Sequence, residues 1–358
     1  MLFAASCTKP VEFTGEESSS MLVVNGIQKV GGKPNLIVER SYFFLTPSYD
    51  YSVAGLTVKL YVNDNFVEEL SVFDTTITNE YAGTSYNATY CSGNYVYKYG
   101  DKVHFEIESK DYETASVTIT MPEQPAEVPD FQFTHIENAQ YFPSMEDCPE
   151  CYPDVDENGD SCAIRQIMMW DDELQQYVMN IDTVHPGEFS SGNFYFTLLV
   201  NDNDKVQYYN LDPEARRMNF MTNDYVLQAI YSDLTTFENG ASLMHSSENI
   251  FSDGYFKDQS HEFNFYVENY EPYGKEITFK VTLYAIDEHY YKFAKSYYQY
   301  ESANGELGVL TYLMSEPTQV YSNVEGGIGV VCGISEGVDA TIVITKEELT
   351  EKIFFDFF

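Results

Sequence analysis

Basic side chains are scarce in this sequence. It has 19 Lys and Arg against 57 Asp and Glu, a formal net charge of -38. A polyanion of this size repels nucleic acid and anionic lipid surfaces, so neither is expected as a partner. Long hydrophobic runs are missing as well. No stretch reaches 18 uncharged apolar residues, which excludes a spanning helix. There is no Walker loop, no Rossmann glycine pattern and no HExxH, and the six His residues show no metal-ligand spacing. Gly333-Ile334-Ser335-Glu336-Gly337 matches G-x-S-x-G in letters only. A nucleophile elbow needs a helix after the Ser, and Val338–Ile344 reads as strand. The carboxylates are too numerous for any two to single themselves out as a glycosidase pair. These absences point away from an enzyme.

Aromatic residues, in contrast, are abundant. There are 31 Tyr and 25 Phe, with one Trp. Such side chains suit a pleated, half-buried surface. Hydrophobic residues make up 44% of the chain, a globular composition. Lys102–Ser109 and Ala115–Met121 alternate apolar and polar, so each has one buried and one wet face. Met21–Gln28, Asn35–Phe44 and Leu56–Val62 also read as strands. Asn63-Asp64-Asn65 is turn chemistry leading to a hairpin partner at Phe66–Val72. Short strands at this spacing predict an immunoglobulin- or transthyretin-like β-sandwich over residues 21–122. PEQPAEVP, beginning at Pro122, makes a stiff spacer placed at 123–129.

Residues 130–358 are expected to form a larger β-rich domain with a few helices. Strands are predicted at Ala163–Trp170, Asn193–Val200, His261–Glu268, Glu276–Ala285 and Ala340–Ile344. Asp287 reads as an N-cap, followed by Tyr290, Phe293, Ala294, Tyr297 and Tyr298 at helical spacing. That stripe is expected to pack on a sheet, although it could face a ligand. A further helix is predicted between Asp212 and Tyr231. Lys346–Phe358 reads as a short terminal helix or tail. Pro317–Ser335 reads as strand, Gly-Gly turn and strand.

The N-terminus reads as an address. Ala4-Ala5-Ser6-Cys7 resembles a bacterial lipobox, in which the cysteine is lipidated. Ala4 stands where Leu is usual, and no basic or long apolar region precedes it. The expectation is therefore a start placed late or a trimmed chain. The polar, acidic stretch that follows completes a lipobox-and-tether segment at 1–20. It also resembles the surface-export signal of Bacteroidetes-type lipoproteins. Lipid at Cys7 would be the chain's only hold on a membrane.

The stretch CPECYPDVDENGDSC, Cys148 to Cys162, allows several chemistries. Asp154, Asp156, Asn158 and Asp160, with Gly159, resemble the first half of a calcium loop. The twelfth position of that loop is Arg165 where a bidentate Glu belongs, so an acidic turn is the competing reading. Zinc would need a fourth ligand that no second CxxC or His pair supplies. A Cys148–Cys151 redox pair would need a helix N-terminus or a positive charge beside it. In an oxidising compartment, the spacing favours a disulfide from Cys162 to Cys148 or Cys151, stabilising by roughly 3 kcal/mol.

Two late segments carry a resemblance. VTLYAIDEHYYKFAKSYYQY and EPTQVYSNVEGGIGV, with the early LVVNG strand, are similar to a family of outer-membrane lipoproteins of Bacteroidetes that carries a domain of unknown function. The cysteine-rich loop lies outside that signature. Val330-Val331-Cys332 replaces the Phe usual after the Gly-x-Gly turn. Asn323, Gly326, Gly327 and Gly329 of the turn read as a folding element. Genes of the family commonly neighbour TonB-dependent receptors. The resemblance thus implies a non-enzymatic accessory protein on the outer membrane, facing outward, and the Tyr-rich surface could take a glycan or a peptide ligand. A fimbrial-type structural lipoprotein and a hydrolase without a known motif are the alternatives.

Overall fold

The computed structural model describes residues 19–42, 50–79, 84–125, 127–128, 130–171, 176–214, 216–218, 225–227, 230–232, 249–256, 259–270, 276–304, 319–345 and 348–349. Cys7, nearly all of its tether and almost all of the 346–358 tail lie outside these residues.

The chain is mainly β. Its first strands are β1 (Leu22–Lys29), β2 (Asn35–Arg40), β3 (Thr57–Val62), β4 (Asn65–Glu69), β5 (Ser71–Asn79), β6 (Thr84–Ser92), β7 (Lys102–Glu108) and β8 (Ala115–Thr120). They form two facing sheets, one ordered β4-β3-β7-β8 and the other running β1-β2-β6-β5. Period-two alternation sends Leu22, Val24, Leu36, Val38 and Cys91 inward from one sheet. Val58, Leu60, Val103, Phe105, Ile107, Val117 and Ile119 meet them from the other. Asn63 and Asp64 link β3 to β4 with φ of 51° and 62°, the paired positive values of a type I′ hairpin turn. Beyond β8 the described residues of the proline-rich spacer have no regular structure. It is held by hydrogen bonds from the Asn201 amide to the Glu127 carbonyl and from Asn203 Nδ2 to the Gln124 carbonyl.

The second half supplies β9 (Asp130–Tyr141), β10 (Asp154–Val155), β11 (Ser161–Asp171), β12 (Gln176–Val184), β13 (Phe189–Asn201), β14 (Tyr208–Glu214), β15 (Arg216–Met218), β16 (Tyr225–Leu227), β17 (Ile230–Ser232), β18 (Asn249–Ser252), β19 (Ser260–Tyr270) and β20 (Glu276–Ile286). Helix α1 (Glu288–Asn304), β21 (Val331–Ile334) and β22 (Val338–Thr345) follow. A sheet ordered β17-β19-β13-β9 packs on β14, β18, β20 and β22. Phe194, Phe196, Leu198 and Val200 of β13 and Phe263 and Phe265 of β19 meet Tyr209, Phe251, Phe279 and Leu283 across this core. Phe196 and Phe279 lie 4.4 Å apart, ring centre to ring centre. β11 and β12 form a long hairpin pairing chiefly with each other. Its outer residues Met179 and Ile181 are 64% and 66% exposed.

Among the described residues, the helix predicted between Asp212 and Tyr231 is not found. The described residues there are the strands β14 to β17. Tyr209 and Leu211 alternate inward, and β14 pairs through Asp212 and Pro213 with Thr282 and Val281 of β20. Cross-strand pairing overrides local propensity here. Helix α1 is the one long α-helix among the described residues.

The largest departure concerns the late chain. The Gly326-Gly327 turn and the strand after it, β21, are present, but residues 319–324 before the turn form no strand. The segment runs along the side of the first sandwich where β8 and β1 lie. Glu325 bridges Ser116 of β8, Ile328 bridges Val23 of β1, and β21 runs parallel to β1 from Gly26↔Val331 to Lys29↔Ile334. Val324 and Val331 join the first core. Because β21 also touches β20 at Ile286↔Ile334, one sheet runs through both sandwiches in the order β18-β14-β20-β21-β1-β2-β6-β5.

Candidate functional site

Helix α1 begins as the sequence predicts. Asp287 caps it, Oδ1 accepting the Tyr290 N–H at 2.8 Å. Tyr290, Ala294 and Tyr298, spaced four apart, turn inward against Ile250, Ile286, Val330 and Cys332. Of the aromatic stripe, Tyr290 and Tyr298 with Ala294 therefore pack in the core, Phe293 is partly buried against it and Tyr297 is exposed. Burial pushes the Asp287 carboxyl up to about 7, while backbone N–H groups, that of Tyr290 foremost, pull it down. Among the described residues its Oδ2 finds no hydrogen-bond partner.

The neighbouring helix face is not used for packing. Lys292, Lys295, Ser296 and Gln299 line a cleft of about 500 Å³, with Gln319, Val320, Tyr321 and Ser322 on the far side. Two hydrogen bonds set its width. The Tyr321 N–H donates to Ser296 Oγ at 2.8 Å, and the Tyr321 hydroxyl lies 2.8 Å from His289 Nδ1. Burial lowers the His289 pKa and favours a neutral ring, whose Nδ1 shares a hydrogen bond with that hydroxyl. Lys292 pairs with Glu288 at 2.8 Å and sits 5.7 Å from the Tyr321 ring centre. That hydrogen bond holds Glu288 below and Lys292 above its ordinary value. Lys295 donates to the Tyr291 hydroxyl at 3.2 Å and lies 5.3 Å from that ring centre. Tyr291 in turn stacks on Tyr208 at 4.4 Å.

The two walls come from the two late segments that carry the family resemblance. The lysines were missed in the sequence. Their signal is spacing: one turn apart, off the Tyr290/Ala294/Tyr298 stripe.

The turn residues of the late segment are built into the first sandwich. Asn323 Nδ2 donates to the Val331 carbonyl at 2.7 Å, and its Oδ1 accepts the Val331 N–H at 3.0 Å. Gly329 has φ +117°, and a Cβ there would meet the Val24 carbonyl oxygen at 2.2 Å. Gly326, with φ +70°, lies as closely over the Thr114 carbonyl, and Gly327 follows over the Leu22 carbonyl. All four positions shape the late segment.

The cysteine loop corrects an expectation. Cys148 bonds to Cys151, with Cα atoms 5.4 Å apart, across the 3-10 turn Pro149–Cys151. Cys162 is a buried free thiol, and burial raises its pKa. The Cys151 N–H donates to the Cys148 carbonyl, so the local turn brings this pair together first. Cys162 faces inward on β11 opposite Asp154.

Nor do the acidic residues converge on a cation. Asp156 Oδ1 accepts the N–H groups of Asn158 and Asp160, each at 2.9 Å, and its Oδ2 faces His185 Nε2 at 3.3 Å. These bonds, that of Asp160 foremost, hold its carboxyl below the usual range against some burial. Asp154 Oδ2 accepts the Ile164 N–H. Among the described residues, no three His, Cys, Asp or Glu side chains are grouped to hold a metal. The calcium-like spelling is an Asx turn braced by His185, which also meets Glu188 at 3.0 Å. Ser335 of the G-x-S-x-G match is buried, accepting the Ala285 N–H and donating to the Glu336 carbonyl.

The fold is mainly β, a β-sandwich joined to a β-rich second half, with a helix-walled groove among the described residues. The family model for a domain of unknown function, DUF4249, matches residues 8–339, and the chain belongs to that family. No curated protein matches it. Among solved structures, the collagen adhesin of S. aureus aligns over 92% of this chain and 95% of its own, at 9% identity and a TM-score of 0.16. A score that low carries no argument. Among the described residues, no helix is long and apolar enough to cross a membrane.

Proposed function

We propose that this chain is a non-enzymatic accessory lipoprotein of the outer membrane. It is held at Cys7, faces the cell exterior and presents ligand to a TonB-dependent transporter. One observation carries the reading: both late segments that mark the family meet at a cleft whose lysines and amides are not spent on a core. Family membership and the lipobox-like AASC support it. Cell fractionation tests it. The native chain, expressed from its full start, should sediment with the outer membrane and be cut by external protease. Cys7→Ala should leave that fraction, and a variant that stays there undiminished would sink the anchor.

The structural or adhesive reading keeps one point in its favour. β5 is the edge of the nine-stranded sheet, and Ser71–Asp74 on it are exposed. An edge of this kind can accept a strand from a neighbour. Ladders of covalently unlinked but heat-resistant multimers on the cell surface would favour it.

A further inference from the structure

We propose that the Cys148–Cys151 bond is a thiol-exchange site, opened by an external thiol that attacks Cys151, and that the acidic loop around it favours thiols on cationic carriers. The proposal goes beyond the ligand-presenting role above and draws on a different part of the chain.

Access comes first. The bond spans the 3-10 turn Pro149–Cys151, none of whose residues is buried. Cys151 is exposed and Cys148 half-buried, so an incoming thiol meets Cys151 first. Cys91, Cys162 and Cys332 are buried in the fold. Burial, with Asp156 and Asp154 beside it, raises the Cys162 pKa and keeps that group a thiol, so the attacking thiolate comes from outside the chain. The turn does not depend on the bond. The Cys151 N–H donates to the Cys148 carbonyl at 3.1 Å, the Tyr152 N–H to the Pro149 carbonyl at 3.3 Å and the Cys148 N–H to the Ser144 carbonyl at 3.0 Å. A loop closed over a separation of three residues adds little chain-entropy stabilisation. An exposed bond of this kind belongs to the labile class of disulfides, open to exchange with surrounding thiols.

The exchange needs no reactant besides the thiol. A thiolate attacks Cys151 Sγ and forms a mixed disulfide. The bond between the two Sγ atoms breaks, and Cys148 leaves as thiolate and takes a proton from water. A second thiolate attacks the external sulfur and releases Cys151, which is protonated in turn. Two external thiols become one disulfide, and their two electrons end on Cys148 and Cys151. Charge decides which thiols react fastest. From Phe142 to Cys162 the chain carries seven acidic residues and no Lys or Arg. Glu146, Asp147 and Glu150 flank the pair and are exposed. The attacking thiolate is itself an anion, so a carrier with further negative charge is repelled, and a cationic carrier offsets that repulsion. The effect reaches over roughly 8 Å at physiological salt. The same acids oppose a lowered thiol pKa, so the reduced pair is not the activated nucleophile of an oxidoreductase.

Exchange kinetics on the full, unreduced chain test this. Cysteamine is compared with 2-mercaptoethanesulfonate, and the peptide Lys-Cys-Lys with Glu-Cys-Glu, at equal thiolate concentration. Opening is read by N-ethylmaleimide quenching and mass spectrometry of the Cys148–Cys151 peptide. The native chain should open within about tenfold of its rate in concentrated urea, because the bond is already accessible. Cys162 should stay unlabelled, and the opened protein should still melt cooperatively. The cationic member of each pair should react about tenfold faster at low salt. That bias should shrink in molar salt, and at low salt in the Glu146→Gln/Glu150→Gln variant. Native opening more than about tenfold slower than in urea overturns the proposal, as does loss of cooperative melting on opening. So does an equal or reversed charge preference in both pairs, or a preference that neither salt nor the double variant reduces. A preference confined to the small thiols supports a small-molecule donor, and one confined to the peptides supports a cysteine on a basic protein segment.

Discussion

Replacing Asp287 with Asn should stabilise this protein at neutral and alkaline pH, although it removes a helix cap of charged type. The carboxyl is nearly fully buried at the start of α1, with Oδ1 on the Tyr290 N–H and Oδ2 lacking a partner among the described residues. Burial raises its pKa from 3.8 to about 7. A carboxyl raised in the folded state binds its proton more tightly there than in the unfolded chain. Its cost to stability is absent below about pH 4, grows as pH rises and is complete above about pH 7. Three units at 1.36 kcal/mol each set a ceiling of roughly 4 kcal/mol, which relaxation will reduce. Asn caps as well as Asp and carries no charge, so the gain should be about 1–3 kcal/mol at pH 8 and near zero at pH 4. Urea denaturation of both proteins at each pH measures it, and the other titrating groups, Glu288 and His289 included, cancel in the comparison. A variant less stable than the native chain at pH 8, or a difference independent of pH, would refute the reasoning.

A non-reduced digest should yield a peptide carrying the Cys148–Cys151 bond and a second with Cys162 alkylated as a free thiol. Because the bond closes so short a loop, Cys148→Ser with Cys151→Ser should cost no more than about 2 kcal/mol. His185 has a raised pKa: partial burial would lower it, but its bonds to Glu188 and Asp156 outweigh that. Its contribution is therefore full below its unfolded value and lost as pH rises through the higher folded one. The melting-temperature deficit of His185→Gln should accordingly be larger at pH 5.5 than at pH 9. Gly329→Ala needs a positive φ and places a methyl group on the Val24 carbonyl, so it should cost about 2 kcal/mol or more by denaturant titration.

Strands with one wet face were legible because their side chains carry the period of the pleat. Lys102–Glu108 shows it, with Val103, Phe105 and Ile107 buried in turn. Asn63-Asp64 gave the turn, since those residues tolerate positive φ. Asp287 and the Tyr290/Ala294/Tyr298 spacing gave the helix. Partners were not legible. Asn25 Oδ1 accepts the Val330 N–H from 305 residues away, and no local pattern encodes that pairing. The strand end at Asp212–Glu214, inside the helix predicted between Asp212 and Tyr231, was misread because its neighbour, β20, lies far along the chain. The disulfide choice depended on a 3-10 turn and on the inward face of Cys162, which spacing alone does not reveal. The cleft was invisible for a related reason. Its lysines become a site only when residues 319–322 are laid against α1.

The central claim is an anchored accessory role beside a transporter. Chemical cross-linking in intact cells, followed by mass spectrometry of peptides linked to this chain, tests it most directly. The account predicts cross-links from its surface lysines to the extracellular loops of a TonB-dependent receptor, lost when Cys7 is replaced by Ala. Cross-links found only between copies of this chain, or unchanged in the Cys7→Ala variant, would contradict it.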